Sequence, residues 1–211
     1  MAKGARKSRH RFGACLEPFC LFEAEIKIQP HREMGLLIST HPIKSFIKIM
    51  GNLERVACGY RILELTDAFE HDVHPFPKVF ELLEKSLRVL EGGSNPMLVR
   101  LRYEAELLVC SGLAPELDQC VSCGQKAPFK SAFLNFSHGG LVCFNCRGKG
   151  SQAALTPVVW QALKDLFEHR AGEEATFEAA DEILQSFVQY QLGKPSKAIL
   201  FEKKVGQLSV F

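Results

Sequence analysis

Two short turns, Cys120-Val121-Ser122-Cys123-Gly124 and, nineteen residues later, Cys143-Phe144-Asn145-Cys146, constrain this chain more than any other stretch. Each Cys-x-x-Cys turn aims two sulfurs the same way. Two such knuckles brought face to face make a tetrahedral four-thiolate cage with metal–sulfur distances of about 2.3 Å. The spacing therefore predicts one structural Zn²⁺ held by Cys120, Cys123, Cys143 and Cys146. A closed four-sulfur site leaves no coordination position for water, so such a metal folds its segment and does no chemistry on a substrate. The surroundings agree: Gly124 and Gly148 follow the knuckles, Gly139-Gly140 can turn a hairpin, and Ala132 to Phe136 alternates as a short strand would. Two disulfides or a redox dithiol are the alternatives that the spacing leaves open. His138 could replace one sulfur but reads as an exposed turn residue. A nucleobase deaminase would need His-x-Glu upstream, where this chain has Asp118-Gln119.

With 211 residues, 46% of them hydrophobic, and a mean hydropathy near zero, the chain can bury a real core and hold two small domains plus a metal insert. The other four cysteines, Cys15, Cys20, Cys58 and Cys110, are scattered, and no secretory signal precedes them, which favours a reducing compartment. No run of eighteen apolar residues occurs, so no membrane span is expected. The net charge of +2 hides an asymmetry: residues 1–12 carry Lys3, Arg6, Lys7, Arg9 and Arg11 against no acid. Such a block attracts polyanions by releasing their condensed counterions, or else it is a solvated terminus.

Leu21 to Ile28 and Glu33 to Thr40 read as strands joined at Gln29-Pro30-His31-Arg32. From Ser39-Thr40-His41-Pro42 a long amphipathic helix is expected to about Thr66, with Ile43, Phe46, Ile47, Met50, Leu53, Ala57 and Tyr60 on its face. His71 and His74 fall in a turn-rich loop. A second helix presents Phe76, Val79, Phe80, Leu83, Leu87 and Leu90 and stops at Gly92-Gly93; a third runs from Pro96 to Ser111. Thr156-Pro157 opens a fourth, with Trp160 on its apolar face. Thr176 opens a fifth, ended by Gly193, and residues 194–204 can form a sixth. Glu104 with Glu106, and Glu81 with Glu84, read as solvated helical pairs, and no phosphate loop, nucleophile elbow or zincin motif is present. No catalytic residue is assigned.

Arg100-Leu101-Arg102-Tyr103-Glu104-Ala105-Glu106-Leu107-Leu108, then Gly112-Leu113-Ala114-Pro115-Glu116-Leu117 running into the first knuckle, resembles the bacterial RecO family of recombination mediators. Lys3 to Lys7 with Leu16-x-Pro18-Phe19 resembles that family's basic strand region, and the likeness covers residues 3 to about 205. It implies an α+β, mainly α chain: residues 1–40 as the later part of an OB-fold, 41–114 and 151–211 as two parts of a helical bundle, and 115–150 as an inserted Cys₄ zinc ribbon. The first half of the barrel, roughly forty residues by the usual size of such barrels, is then not in this chain. The resemblance further implies binding of single- and double-stranded DNA, with Lys3, Arg6, Lys7, Arg9 and Arg11 on the basic surface. It implies annealing of complementary strands and action with RecR and the C-terminal tail of the single-strand-binding protein to help load RecA. Arg88, Arg100 and Arg102 are candidates for that acidic tail, or simply a solvated face. Cytoplasmic, nucleoid-associated localisation follows, with no membrane partner and no enzymatic step. The rival functions are a zinc-ribbon adaptor or transcription-type protein, and a sirtuin-like deacylase, which would need a dinucleotide-binding motif.

Overall fold

The structure is a computed structural model that describes residues 12, 15–30, 35–69, 77–129, 131–148, 150–170, 174–194 and 196–208. Its class is α+β and mainly α. Two strands, β1 (Cys20–Lys27) and β2 (Leu36–Ser45), pair antiparallel. Three helices follow, α1 (Leu53–Phe69), α2 (Pro77–Glu91) and α3 (Pro96–Cys110). A small antiparallel sheet then forms from β3 (Ala132–Asn135), β4 (Gly140–Cys143) and β5 (Gln152–Leu155), in the order β4-β3-β5. Helices α4 (Pro157–Phe167), α5 (Glu174–Leu192) and α6 (Lys197–Leu208) complete the chain.

The helix starts follow from local chemistry. Asn95 accepts hydrogen bonds from the backbone N–H groups of Met97 and Leu98, with Pro96 in the first turn of α3; Thr156 accepts from Val159 ahead of α4. The helix expected from Thr40 to about Thr66 starts late, at Leu53, after a 3₁₀ turn over Ile47–Gly51. Residues as far as Ser45 extend β2 instead, with Glu23 opposite His41 and Cys20 opposite Ser45. Pro42 is tolerated because the register shifts between Leu21 and Phe22, where the ladder is already interrupted. The Thr40 hydroxyl donates to the Phe12 carbonyl at 3.1 Å and caps no helix. The helical face moves accordingly: Ile43, Ile47, Met50, Leu53 and Tyr60 are exposed, whereas Phe46, Ile49, Ala57, Cys58, Ile62 and Leu65 are buried. In α2 Phe80 is exposed, and the buried positions are Val79, Leu82, Ser86, Leu87 and Leu90.

Helix α3 is the centre of the bundle and packs against α1, α2, α4 and α5. It buries Val99, Leu101, Tyr103, Ala105, Leu107 and Leu108, and two charged residues with them. Arg100 and Glu104 are 5% and 1% exposed, which corrects both the solvated-pair reading of Glu104 and the reading of Arg100 as a surface contact. The N-terminal strands dock through Phe19 and Phe46. The Phe46 N–H donates to the Phe19 carbonyl, and the Phe19 ring lies so close to α1 that a Cβ at Gly59 would come within 2.6 Å of it. Glycine is required there by the close approach.

Candidate metal centre

The insert between α3 and α4 is built from a tight turn and a hairpin. The first knuckle closes on itself, with the Gly124 N–H donating to the Cys120 carbonyl at 2.8 Å and the Cys120 N–H to the Gln125 carbonyl at 2.8 Å. Gly124 sits at φ 72°, where a side chain is strained. The Val121 N–H donates to the Leu141 carbonyl, so the knuckle is held beside β4, whose last residue is Cys143. The second knuckle is a single 3₁₀ turn over Phe144–Cys146.

These elements bring all four predicted cysteines together, their sulfurs all within 4.8 Å of one another. The sulfurs of Cys123 and Cys143 are 3.9 Å apart, close to the edge of about 3.8 Å in a sulfur tetrahedron around an ion with bonds of about 2.3 Å. A disulfide would need about 2.05 Å, and all eight cysteines are free thiols. Cys120 and Cys143 are buried, Cys146 is half-buried and Cys123 is exposed. His138 is exposed and outside the cluster, its N–H bonded to the Asn135 side chain. Burial pushes the Cys120 thiol up, but N–H groups of Cys143, Cys123 and Ser122 donate to it and hold it down at about 6. Cys146 is pushed up to about 12 by its thiol neighbours Cys143 and Cys123. One thiolate forms readily at neutral pH and opposes the next. A cation centred among the four sulfurs relieves that repulsion, so the set could hold a metal ion.

The insert is fixed to the bundle on two sides. Trp160 of α4, half-buried as a core residue, donates its indole N–H to the Leu117 carbonyl at 3.0 Å, and the Lys164 ammonium reaches Asp118 at 2.5 Å. On the other side the Phe136 ring sits 5.8 Å from those of Phe187 and Tyr190 in α5. Arg147, which the sequence reading passed over, lies with its guanidinium 4.2 Å over the Phe144 ring and 5.7 Å over the Phe133 ring. The predicted basic residues Lys3, Arg6, Lys7, Arg9 and Arg11, and also His71 and His74, lie outside the described residues.

With the fold and the thiol cluster in view, comparison with known families finds two adjoining matches. "Recombination protein O C terminal" matches residues 50–198, and "Recombination protein O N terminal" matches residues 1–46. The chain belongs to the RecO family. A DNA repair protein RecO of Anaeromyxobacter sp. (strain K) is 30% identical, over 98% of this chain and 85% of the relative. That of Syntrophus aciditrophicus (strain SB) is 29% identical over 94% and 81%, and that of Bacillus pumilus (strain SAFR-032) is 35% identical over 78% and 63%.

Proposed function

We propose that this RecO-family chain is a non-catalytic DNA-repair mediator that binds single-stranded DNA and brings complementary strands together, with one structural Zn²⁺ on Cys120, Cys123, Cys143 and Cys146. The observation that carries the reading is family membership across both ends of the chain, residues 1–46 and 50–198. The charge pattern supports it, since Lys3, Arg6, Lys7, Arg9 and Arg11 stand without an acid in residues 1–12. Neutralising the phosphates of two strands lowers their mutual repulsion and raises their local concentration, which speeds annealing without any bond being made. Zinc is the metal that suits four thiolates at tetrahedral spacing, and it would supply cross-linking of the two knuckles. RecR, the tail of the single-strand-binding protein and RecA are the partners that the family resemblance supports, in the cytoplasm and beside the nucleoid. Among the described residues no helix is long and apolar enough to cross a membrane.

The test is binding of a labelled single strand at several salt concentrations. Five phosphate contacts predict a log–log slope of about −3.5. Changing Lys3, Arg6 and Arg11 together to Glu should flatten that slope and slow annealing. Unchanged annealing by that variant would remove the basic segment from the mechanism. Salt-independent or absent binding by the unaltered chain would leave the adaptor reading in its place.

A further inference from the structure

From Gln119 to Lys164 the chain contains no Asp or Glu, although an even share of its 24 acids would put about five there. The same stretch carries Lys126, Lys130, Arg147, Lys149 and Lys164. Lys164 of α4 is paired with Asp118 and Glu168, which leaves Lys126, Lys130, Arg147 and Lys149 in the acid-free part of the insert. Four thiolates around a divalent ion sum to −2, so residues 119–150, with four cations and no acid, stay net positive at +2 even when loaded.

One aromatic residue in this segment is out of place for a structural ribbon. Phe144 is 54% exposed. The partly buried side chains packed against the buried cysteines are Phe129, Phe133 and Cys146, whereas more than half of the Phe144 surface is open to water. Instead that ring lies under the guanidinium of Arg147, which no carboxylate among the described residues pairs. An exposed ring with a cation 4.2 Å from its centroid, in an acid-free stretch of chain, matches what a single nucleic-acid strand offers: an unstacked base for the ring and a phosphate for the guanidinium. A duplex keeps its bases stacked and cannot use the ring, and an acidic peptide needs only the charge.

We infer that the second knuckle of the metal insert, through Phe144 and the adjoining Arg147, is a contact site for single-stranded nucleic acid, separate from the basic N-terminal segment. This rests on the reading of the chain as a single-strand binder and adds a base-stacking position to it. Backbone charge alone would hold any polyanion; the stacked base makes the site discriminate single strands from duplex.

The experiment uses the full, metal-loaded chain with a labelled oligothymidine and with an abasic oligonucleotide of equal length. The unaltered chain should prefer oligothymidine. Phe144→Ala and Phe144→Leu should each weaken oligothymidine binding about five- to 150-fold, leave abasic binding unchanged and retain the metal. Arg147→Gln should weaken both ligands and reduce the magnitude of the salt slope by about 0.7. Photo-cross-linking of the unaltered chain to a bromodeoxyuridine strand should mark the 143–147 segment and gives a readout independent of how the variants fold. Cross-links confined to residues 1–46, or Phe144 variants that bind oligothymidine as the unaltered chain does, would overturn the inference while leaving the proposed function intact. No binding of any single strand by the unaltered chain would overturn both.

Discussion

A guanidinium with no exposed surface sits at the heart of the bundle. Arg61 of α1 donates from Nε to Glu104 of α3 at 2.6 Å and from Nη1 to Glu202 of α6 at 2.9 Å, while Arg100 of α3 donates to Asp181 of α5 at 2.7 Å. The group is incompletely satisfied, since Nη2 of Arg61 has no hydrogen-bond partner and Nη1 of Arg100 approaches Glu104 at 3.6 Å without forming a hydrogen bond. Burial opposes the charge on Arg100, but Glu104, Asp181 and Glu202 outweigh it and hold the proton more firmly than usual. Removing one member should therefore hurt more than removing a matched pair. Glu104→Ala removes the fully buried carboxylate that both guanidiniums face and should cost about 3–5 kcal/mol in urea unfolding. Arg61→Met combined with Glu104→Leu should recover most of that loss; a double variant as unstable as the single would show that the polar pair is itself needed for packing. None of this was legible beforehand. On a helical wheel Arg and Glu read as solvent-facing, and the two partners are 43 residues apart, so only tertiary assembly reveals that they meet.

At the scale of elements, α6 shows how one helix is seated by another. Glu64 of α1 accepts from the Ser196 hydroxyl at 2.5 Å and from the backbone N–H groups of Lys197 and Ala198, while the Ser196 hydroxyl accepts from Ile199. A carboxylate from elsewhere in the chain thus satisfies the orphan donors at the start of α6 and sits at the positive end of its dipole. Burial raises the Glu64 pKa, but those hydrogen bonds and the charge of Arg61 outweigh it, and the net displacement is downward from 4.5. A depressed folded-state pKa gives stability that is present above the unfolded value and lost as pH falls through the folded one. The stability advantage of the unaltered chain over Glu64→Gln should accordingly be full at neutral pH and shrink progressively below pH 4.5, and helical circular dichroism against urea at stepped pH measures it. An advantage that grew on acidification would overturn the role given to Glu64. Elements with local stop and start signals were readable from sequence: Asn95-Pro96 and Thr156-Pro157 begin helices as their capping chemistry requires. Residues 40–52 were not, because the period of Ile43, Ile47 and Met50 suits a helix while strand pairing with β1 decided the outcome as far as Ser45.

At the scale of the whole molecule, the metal insert is continuous with the core. Leu134, Phe136, Leu141 and Leu155 of the insert belong to the same buried cluster as Leu101 and Leu108 of α3 and Phe187 of α5. The cysteine spacing announced the cluster of four thiols; its attachment to the bundle through Trp160, Lys164 and Phe136 did not show in the spacing, because those contacts depend on how α4 and α5 fold back. That continuity decides what metal loss should do. If the ribbon were a separate strut, chelation would melt it and leave the helices alone. Because its strands fill part of the helical core, loss of the ion should expose that core too. Structural zinc contributes on the order of 10 kcal/mol to its own small domain, and a loss of even about 3 kcal/mol here would lower Tm by roughly 6–12 °C. Trp160, the single tryptophan, reports on the seam through its bond to Leu117. On chelation, or in Cys143→Ser, its emission and the helical circular dichroism should shift together in one transition. Acid should do the same, since the thiols must lose their protons to hold the ion, and Cys146, pushed up to about 12 without metal, makes the loaded site the more dependent on the cation. A ribbon that melted alone, with Trp160 altered and the helices intact, would separate the insert from the bundle and leave the cysteines stabilising only their own segment.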